Sequence, residues 1–103
     1  MNIMKTHKVI VSNIVWDKIR ELRIYLSEEL KMSHEAARKR TDRMGNFLKS
    51  LDGILPYPLC RFKRWRVLGY HCVVFEKDWI FAYEILEDGI IVQDMSHTAI
   101  LVE

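Results

Sequence analysis

The sequence predicts a two-layer α+β domain, with an N-terminal strand and a helical hairpin packed on a C-terminal antiparallel meander. Three observations predict it. Apolar residues between Val15 and Leu51 recur at helical spacing. After Pro56-Tyr57-Pro58 the composition shifts to β-branched and aromatic residues. Breaks at Gly69, Lys77-Asp78 and Asp88-Gly89 then cut that second half into short runs. The chain has 103 residues, 50% of them hydrophobic, and reads as one domain over residues 1–103. That supply of apolar side chains builds a core without metal or disulfides.

Each element has its own signal. Lys8-Val9-Ile10-Val11 is a short β-branched run and suits a first strand. Ser12 and Asn13 supply N-cap oxygens for a helix whose apolar face is Val15, Ile19, Leu22, Leu26 and Leu30. Ser33 caps a second helix, with Glu35 in its first turn and a stripe through Ala37, Thr41, Met44, Leu48 and Leu51. Gly45 weakens that helix or allows a close helix approach. Asp52-Gly53 ends it, and Pro56 opens a loop. Four strands are expected afterwards: Leu59 to Val67, Tyr70 to Glu76, Trp79 to Leu86, and Ile90 to about Ser96. Asp88-Gly89 between apolar runs is a hairpin signal.

The formal net charge is only +2, so total charge does not argue for nucleic-acid binding. Its distribution says more. One basic stretch holds Arg38, Lys39, Arg40 and Arg43; a second holds Arg61, Lys63, Arg64 and Arg66. Clustered cations make a local positive field even when the sum is small. Cys60 and Cys72 match neither a metal-ligand spacing nor a disulfide framework, and Cys72 reads as a small core hydrophobe. No apolar run has transmembrane length and no signal peptide is visible, so a cytoplasmic protein without a membrane partner is expected.

The element order, at this length, resembles the RelE/ParE toxins of bacterial type II toxin–antitoxin systems, over almost the whole chain. The best local match is Arg66-Val67-Leu68-Gly69-Tyr70-His71-Cys72-Val73-Val74-Phe75; the second is Met95-Ser96-His97. Family members commonly show an arginine, a glycine-bearing linker and a Tyr-Arg-x-x-Tyr-like strand, then a terminal histidine followed by arginine and tyrosine. Here His71 stands for the strand arginine, and Thr98 follows His97. The resemblance implies a toxin partnered by a cognate antitoxin. Its action is either messenger-RNA cleavage on the ribosome or, without catalysis, inhibition of DNA gyrase. A member that has lost its poison and only binds antitoxin is a third possibility. No cofactor or metal is implied.

Metal-independent RNA cleavage needs a base for the 2′-hydroxyl, cations at the phosphate and an acid for the leaving oxygen. Arg66, His71, Glu84 and His97 are the candidates for that chemistry. Arg61, Lys63 and Arg64 are candidate RNA or phosphate ligands, and so are Arg38, Lys39 and Arg43 unless they form a solvated helix face. Two-residue loops at Lys77-Asp78 and Asp88-Gly89 would set His71 opposite Glu84, Glu84 opposite Gln93, and Ile80 opposite His97. The candidates would then share one sheet face. A three-residue loop at Glu87-Asp88-Gly89 would turn His97 to the other face. Trp16, Trp65 and Trp79 offer base-stacking surfaces. The plainer expectation packs Trp16 between helix and sheet and at least one of the other two in the core. His7 and His34 read as surface residues.

Overall fold

The structure, a computed structural model, describes residues 8–51 and 57–100. The expectations for His7, for Asp52-Gly53 and for Pro56 fall outside these residues. The elements are β1 (Lys8–Val11), α1 (Asn13–Glu28), α2 (His34–Ser50), α3 (Lys63–Arg66), β2 (His71–Phe75), β3 (Trp79–Leu86) and β4 (Gly89–His97), then a 3-10 turn at Thr98–Ile100. They form a four-stranded sheet in the order β1-β4-β3-β2. Strands β2 to β4 make the expected antiparallel meander, and β1 joins β4 in parallel, so the sheet is mixed. The two-layer α+β architecture is as the sequence predicts.

Both long helices start where a serine can cap them. Ser12 Oγ accepts from the Val15 N–H at 3.3 Å, and Ser33 Oγ accepts from the Ala36 N–H at 3.1 Å. Each bond satisfies one of the amides left open in a first helical turn. The inner stripes of the helices, Val15, Ile19, Met44 and Leu48, pack on Val73, Phe75, Phe81, Tyr83, Val92 and Met95 of the sheet. Leu30 is an exception: it lies beyond α1 and is 54% exposed. Trp16 lies against α2 rather than the sheet. A Cβ at Gly45 would meet its ring at 3.7 Å, which is ordinary contact, so that glycine is not needed for close approach.

Two elements differ from the sequence reading. Leu59 to Val67 is not a strand; Leu59 makes one isolated bridge to His71, and Lys63–Arg66 closes a single helical turn. Cys60 and Trp65, which an extended chain would place on opposite faces, both turn inward here to cover the outer face of the sheet. The β2–β3 loop also has three residues, because Phe75 pairs with Trp79. Glu76 and Lys77 adopt left-handed backbone there, with φ of 50° and 70°, a conformation disfavoured for residues with a Cβ. Tertiary bonds hold the longer loop. Arg43 donates to both Glu76 carboxylate oxygens at 3.0 and 3.1 Å, and the Thr98 N–H donates to Asp78 O at 2.8 Å.

At the next turn Leu86 pairs with Gly89, so the two-residue loop is Glu87-Asp88 and Gly89 belongs to β4. Its lack of a side chain serves a close approach, since a Cβ there would stand 2.2 Å from Lys8 O. A bulge between Ala82 and Tyr83 of β3 and their β4 partners leaves Gln93 unpaired, and beyond it His97 lies opposite Trp79, not Ile80.

Candidate functional site

The register decides which candidate side chains can meet. In β2 and β3 the inner face carries His71, Val73, Phe75, Trp79, Phe81 and Tyr83; the outer face carries Cys72, Ile80, Ala82 and Glu84. His71 and His97 therefore share the helix-side face, but at opposite ends. They are offset by four residues along β3 and two strand spacings across it, which places their backbones about 16 Å apart. Glu84 is on the other face. Of the expected grouping of His71, Glu84, Gln93 and His97, Glu84 and Gln93 meet on the outer face and the two histidines share the inner one, but the four do not come together. The cause is the extra residue in the β2–β3 loop and the bulge at Gln93, since each single-residue slip reverses a face.

Each candidate has its own surroundings. His71 Nδ1 lies 2.6 Å from Tyr57 O. A carbonyl only accepts, so Nδ1 carries a proton, and in the neutral form the lone pair is on Nε2. The His71 ring stacks on Tyr83 with centroids 5.6 Å apart, and Tyr83 Oη accepts from the Tyr57 N–H at 3.1 Å. Burial of Tyr83 pushes its phenol above the ordinary tyrosine range. This tyrosine–histidine group was not singled out in the sequence, because Tyr57 and Tyr83 are far apart in the chain and Tyr83 reads as an inward strand residue.

His97 is built differently. Its ring meets Trp79 edge-on at 5.0 Å, and its Nδ1 accepts from the Ala99 N–H at 3.0 Å. The neutral form therefore carries its proton on Nε2. His97 borders a groove of about 670 Å³ whose apolar lining includes Leu22, Tyr25, Leu26 and Met95. On the outer face, Glu84 Oε1 accepts from Gln93 Nε2 at 3.1 Å.

The two basic stretches also separate. On α2 three of the four cations of that stretch have carboxylate partners: Lys39 with Glu35 at 3.6 Å, Arg38 with Asp42 at 3.8 Å, and Arg43 with Glu76. The Arg43 bond holds the Glu76 carboxyl below the usual carboxylate range and raises the Arg43 guanidinium. Such exposed pairs fit a solvated helix face.

Around α3, by contrast, Arg61, Lys63, Arg64 and Arg66 are exposed, and among the described residues none has a carboxylate within ion-pair distance. The Arg64 guanidinium lies over the Phe62 ring at 5.3 Å, and Arg66 Nη1 donates to Arg61 O at 3.4 Å. Trp65, at 2% exposure, anchors this turn against Cys60 and Ala82.

The cysteines correct a further expectation: Cys60 and Cys72 form a disulfide. Linear spacing conceals it, because Cys60 comes beside β2 only when the chain turns through α3 and the Cys60 N–H donates to Tyr70 O at 2.9 Å.

Among the described residues no cluster of three or more His, Cys, Asp or Glu side chains could hold a metal ion, and no helix is long and apolar enough to cross a membrane. What the arrangement offers is an exposed cationic turn with no carboxylate partner among the described residues, on the same sheet face as Glu84. No protein-family model and no curated protein matches this chain.

Proposed function

We propose that this chain is the toxin of a type II toxin–antitoxin pair of the RelE/ParE type, acting in the cytoplasm on messenger RNA held by the ribosome. The observation that carries this reading is the cationic turn. Four exposed cations with no carboxylate partner among the described residues, on a turn pinned by a buried tryptophan, suit a phosphate backbone, where charge gives affinity without sequence preference. Arg64 and Arg66 bind phosphate and stabilise the negative charge that builds on it. Glu84, the candidate on the outer face with that turn, takes the 2′-hydroxyl proton, and solvent water at the exposed turn protonates the leaving 5′-oxygen. The histidines face the helices and have no part in this step. A small antitoxin that covers the basic turn is the partner that silences it.

The dispersal of Glu84, His71 and His97 favours a second reading, in which the same toxin inhibits DNA gyrase without cutting anything. Induced expression in bacteria separates the two when translation, message integrity and DNA damage are read together. The first reading expects arrested translation and cut messages, with both relieved by Arg66→Ala and by Glu84→Gln. Loss of either group should slow cleavage by about 10²–10³-fold. Intact messages with normal translation reject it, and a DNA-damage response under those conditions points to gyrase.

A further inference from the structure

We propose that the Cys60–Cys72 bridge is a thiol-sensitive clamp that holds the cationic turn against the sheet and releases it on reduction. The turn has little else to fix it. Helix α3 is four residues long, and its N-cap, Phe62, makes no side-chain cap bond. An isolated single turn does not persist in water. Arg61, Lys63, Arg64 and Arg66 also repel one another along it. Against this stand the bridge, the small apolar cluster around Trp65, and two backbone bonds at the ends, from the Cys60 N–H to Tyr70 O at 2.9 Å and from the Cys72 N–H to Pro58 O at 3.2 Å.

The bridge closes the whole segment, with a sequence separation of 12 between its cysteines. Closing a loop of that length disfavours the opened chain by about a hundredfold. The rest of the fold does not depend on it, since the main core between helices and sheet contains neither cysteine.

The two cysteines are unequally buried. Cys60 is 1% exposed, whereas Cys72 is partly exposed. A small thiolate such as glutathione can attack Cys72 Sγ and expel Cys60 as the leaving thiolate. A second glutathione thiolate then attacks the mixed disulfide and frees Cys72. Two glutathione thiols become one glutathione disulfide, and the two electrons and two protons they lose leave Cys60 and Cys72 as thiols. A disulfide that persists in a reducing compartment is unusual, and a reversible one is the form it takes there. Because the turn carries the phosphate ligands of the function proposed above, the clamp's effect on binding rests on that reading; its effect on the turn does not.

The test uses the purified full-length chain in a series of reduced-to-oxidised glutathione ratios at pH 7. Bridge formation is read by mass after alkylation, and order by amide hydrogen exchange. The bridge should open within the series. On opening, exchange over residues 61–70 should speed up at least about tenfold, as the bridge's loop-closure term is removed. Amides of α1 and α2 should stay unchanged. The double variant Cys60→Ala, Cys72→Ala should exchange fast in that segment at every ratio, and reduction of the wild type gives the same reading should the variant not fold.

A bridge that never forms, or never opens, overturns the proposal. So does exchange that rises equally across the chain, or nowhere. Affinity for a fluorescent single-stranded RNA, followed in the same series, should fall on opening. RNA binding in neither redox state counts against the nucleic-acid reading and leaves the clamp standing.

Discussion

The two faces of the sheet are covered in different ways. On the inner face two long capped helices bury a continuous core that runs from Val15 and Leu48 to Phe81 and Met95. On the outer face, among the described residues, a single turn with Phe62 and Trp65, Tyr70 and a disulfide cover the strands, while at the far edge Ile10 is left 50% exposed. The histidines lie on the thick side and the unpaired cations on the thin side. The thick side therefore sets whether the chain folds, and the thin side sets whether its charged turn is presented. A protein arranged in this way can change the state of its charged surface without unfolding.

Paired truncations give the largest effect and the sharpest contrast. Phe81 is fully buried on the inner face, and Phe81→Ala should cost about 3–5 kcal/mol of global stability, read by urea denaturation. Trp65→Ala removes a side chain of greater volume, yet its midpoint should move by less than half as much, with fast exchange confined to residues 61–70. Equal global losses would dissolve the distinction between the two faces.

A smaller effect is expected at the edge that both faces share. Gly89→Ala forces a Cβ onto the Lys8 backbone, and overpacking of this kind costs about 1–3 kcal/mol. Because Lys8–Val11 pairs, among the described residues, with β4 alone, the loss should appear as early exchange of β1, with the cationic turn unaffected.

The smallest effect asks whether the two sides communicate. Tyr83 is a core residue whose hydroxyl accepts from Tyr57, in the segment that leads to the turn. Tyr83→Phe should lose about 1 kcal/mol, the net value of one hydrogen bond. Since burial raises the Tyr83 phenol, its contribution is fully present below the unfolded tyrosine pKa of about 10 and is lost as pH rises through the higher folded value. Wild type should therefore lose stability in alkali that the phenylalanine variant keeps, measured by thermal melts from neutral pH upward.

The parts legible in the sequence are those where a local pattern and the tertiary structure agree. Ser12 and Ser33 cap as expected, and Trp79–Leu86 begins and ends where its flanking turn residues place it. The misreadings share a cause: a distant partner changed a local choice. Arg43 and Thr98 lengthen the Glu76-Lys77-Asp78 loop from outside it. Gly89 reads as a turn glycine until Lys8 is brought beside it. The bulge at Gln93 has no signal in β4 alone. Candidate chemistry was correspondingly less legible than the fold. Residue types can be listed from a chain, but a site requires the faces to be right, and one added loop residue moved Glu84 away from His71.

The pairing of β1 with β4 has a consequence for the chain during its synthesis. Lys8 binds beside Gly89, so 81 residues separate the two partners. At roughly 5–20 residues per second, β1 waits about 4–16 s on the ribosome before its neighbour emerges. Throughout that interval Lys-Val-Ile-Val is a bare hydrophobic strand edge, open to other chains. Whatever shields this segment, whether a chaperone or a partner made alongside it, has to act before the translating ribosome has finished the sheet.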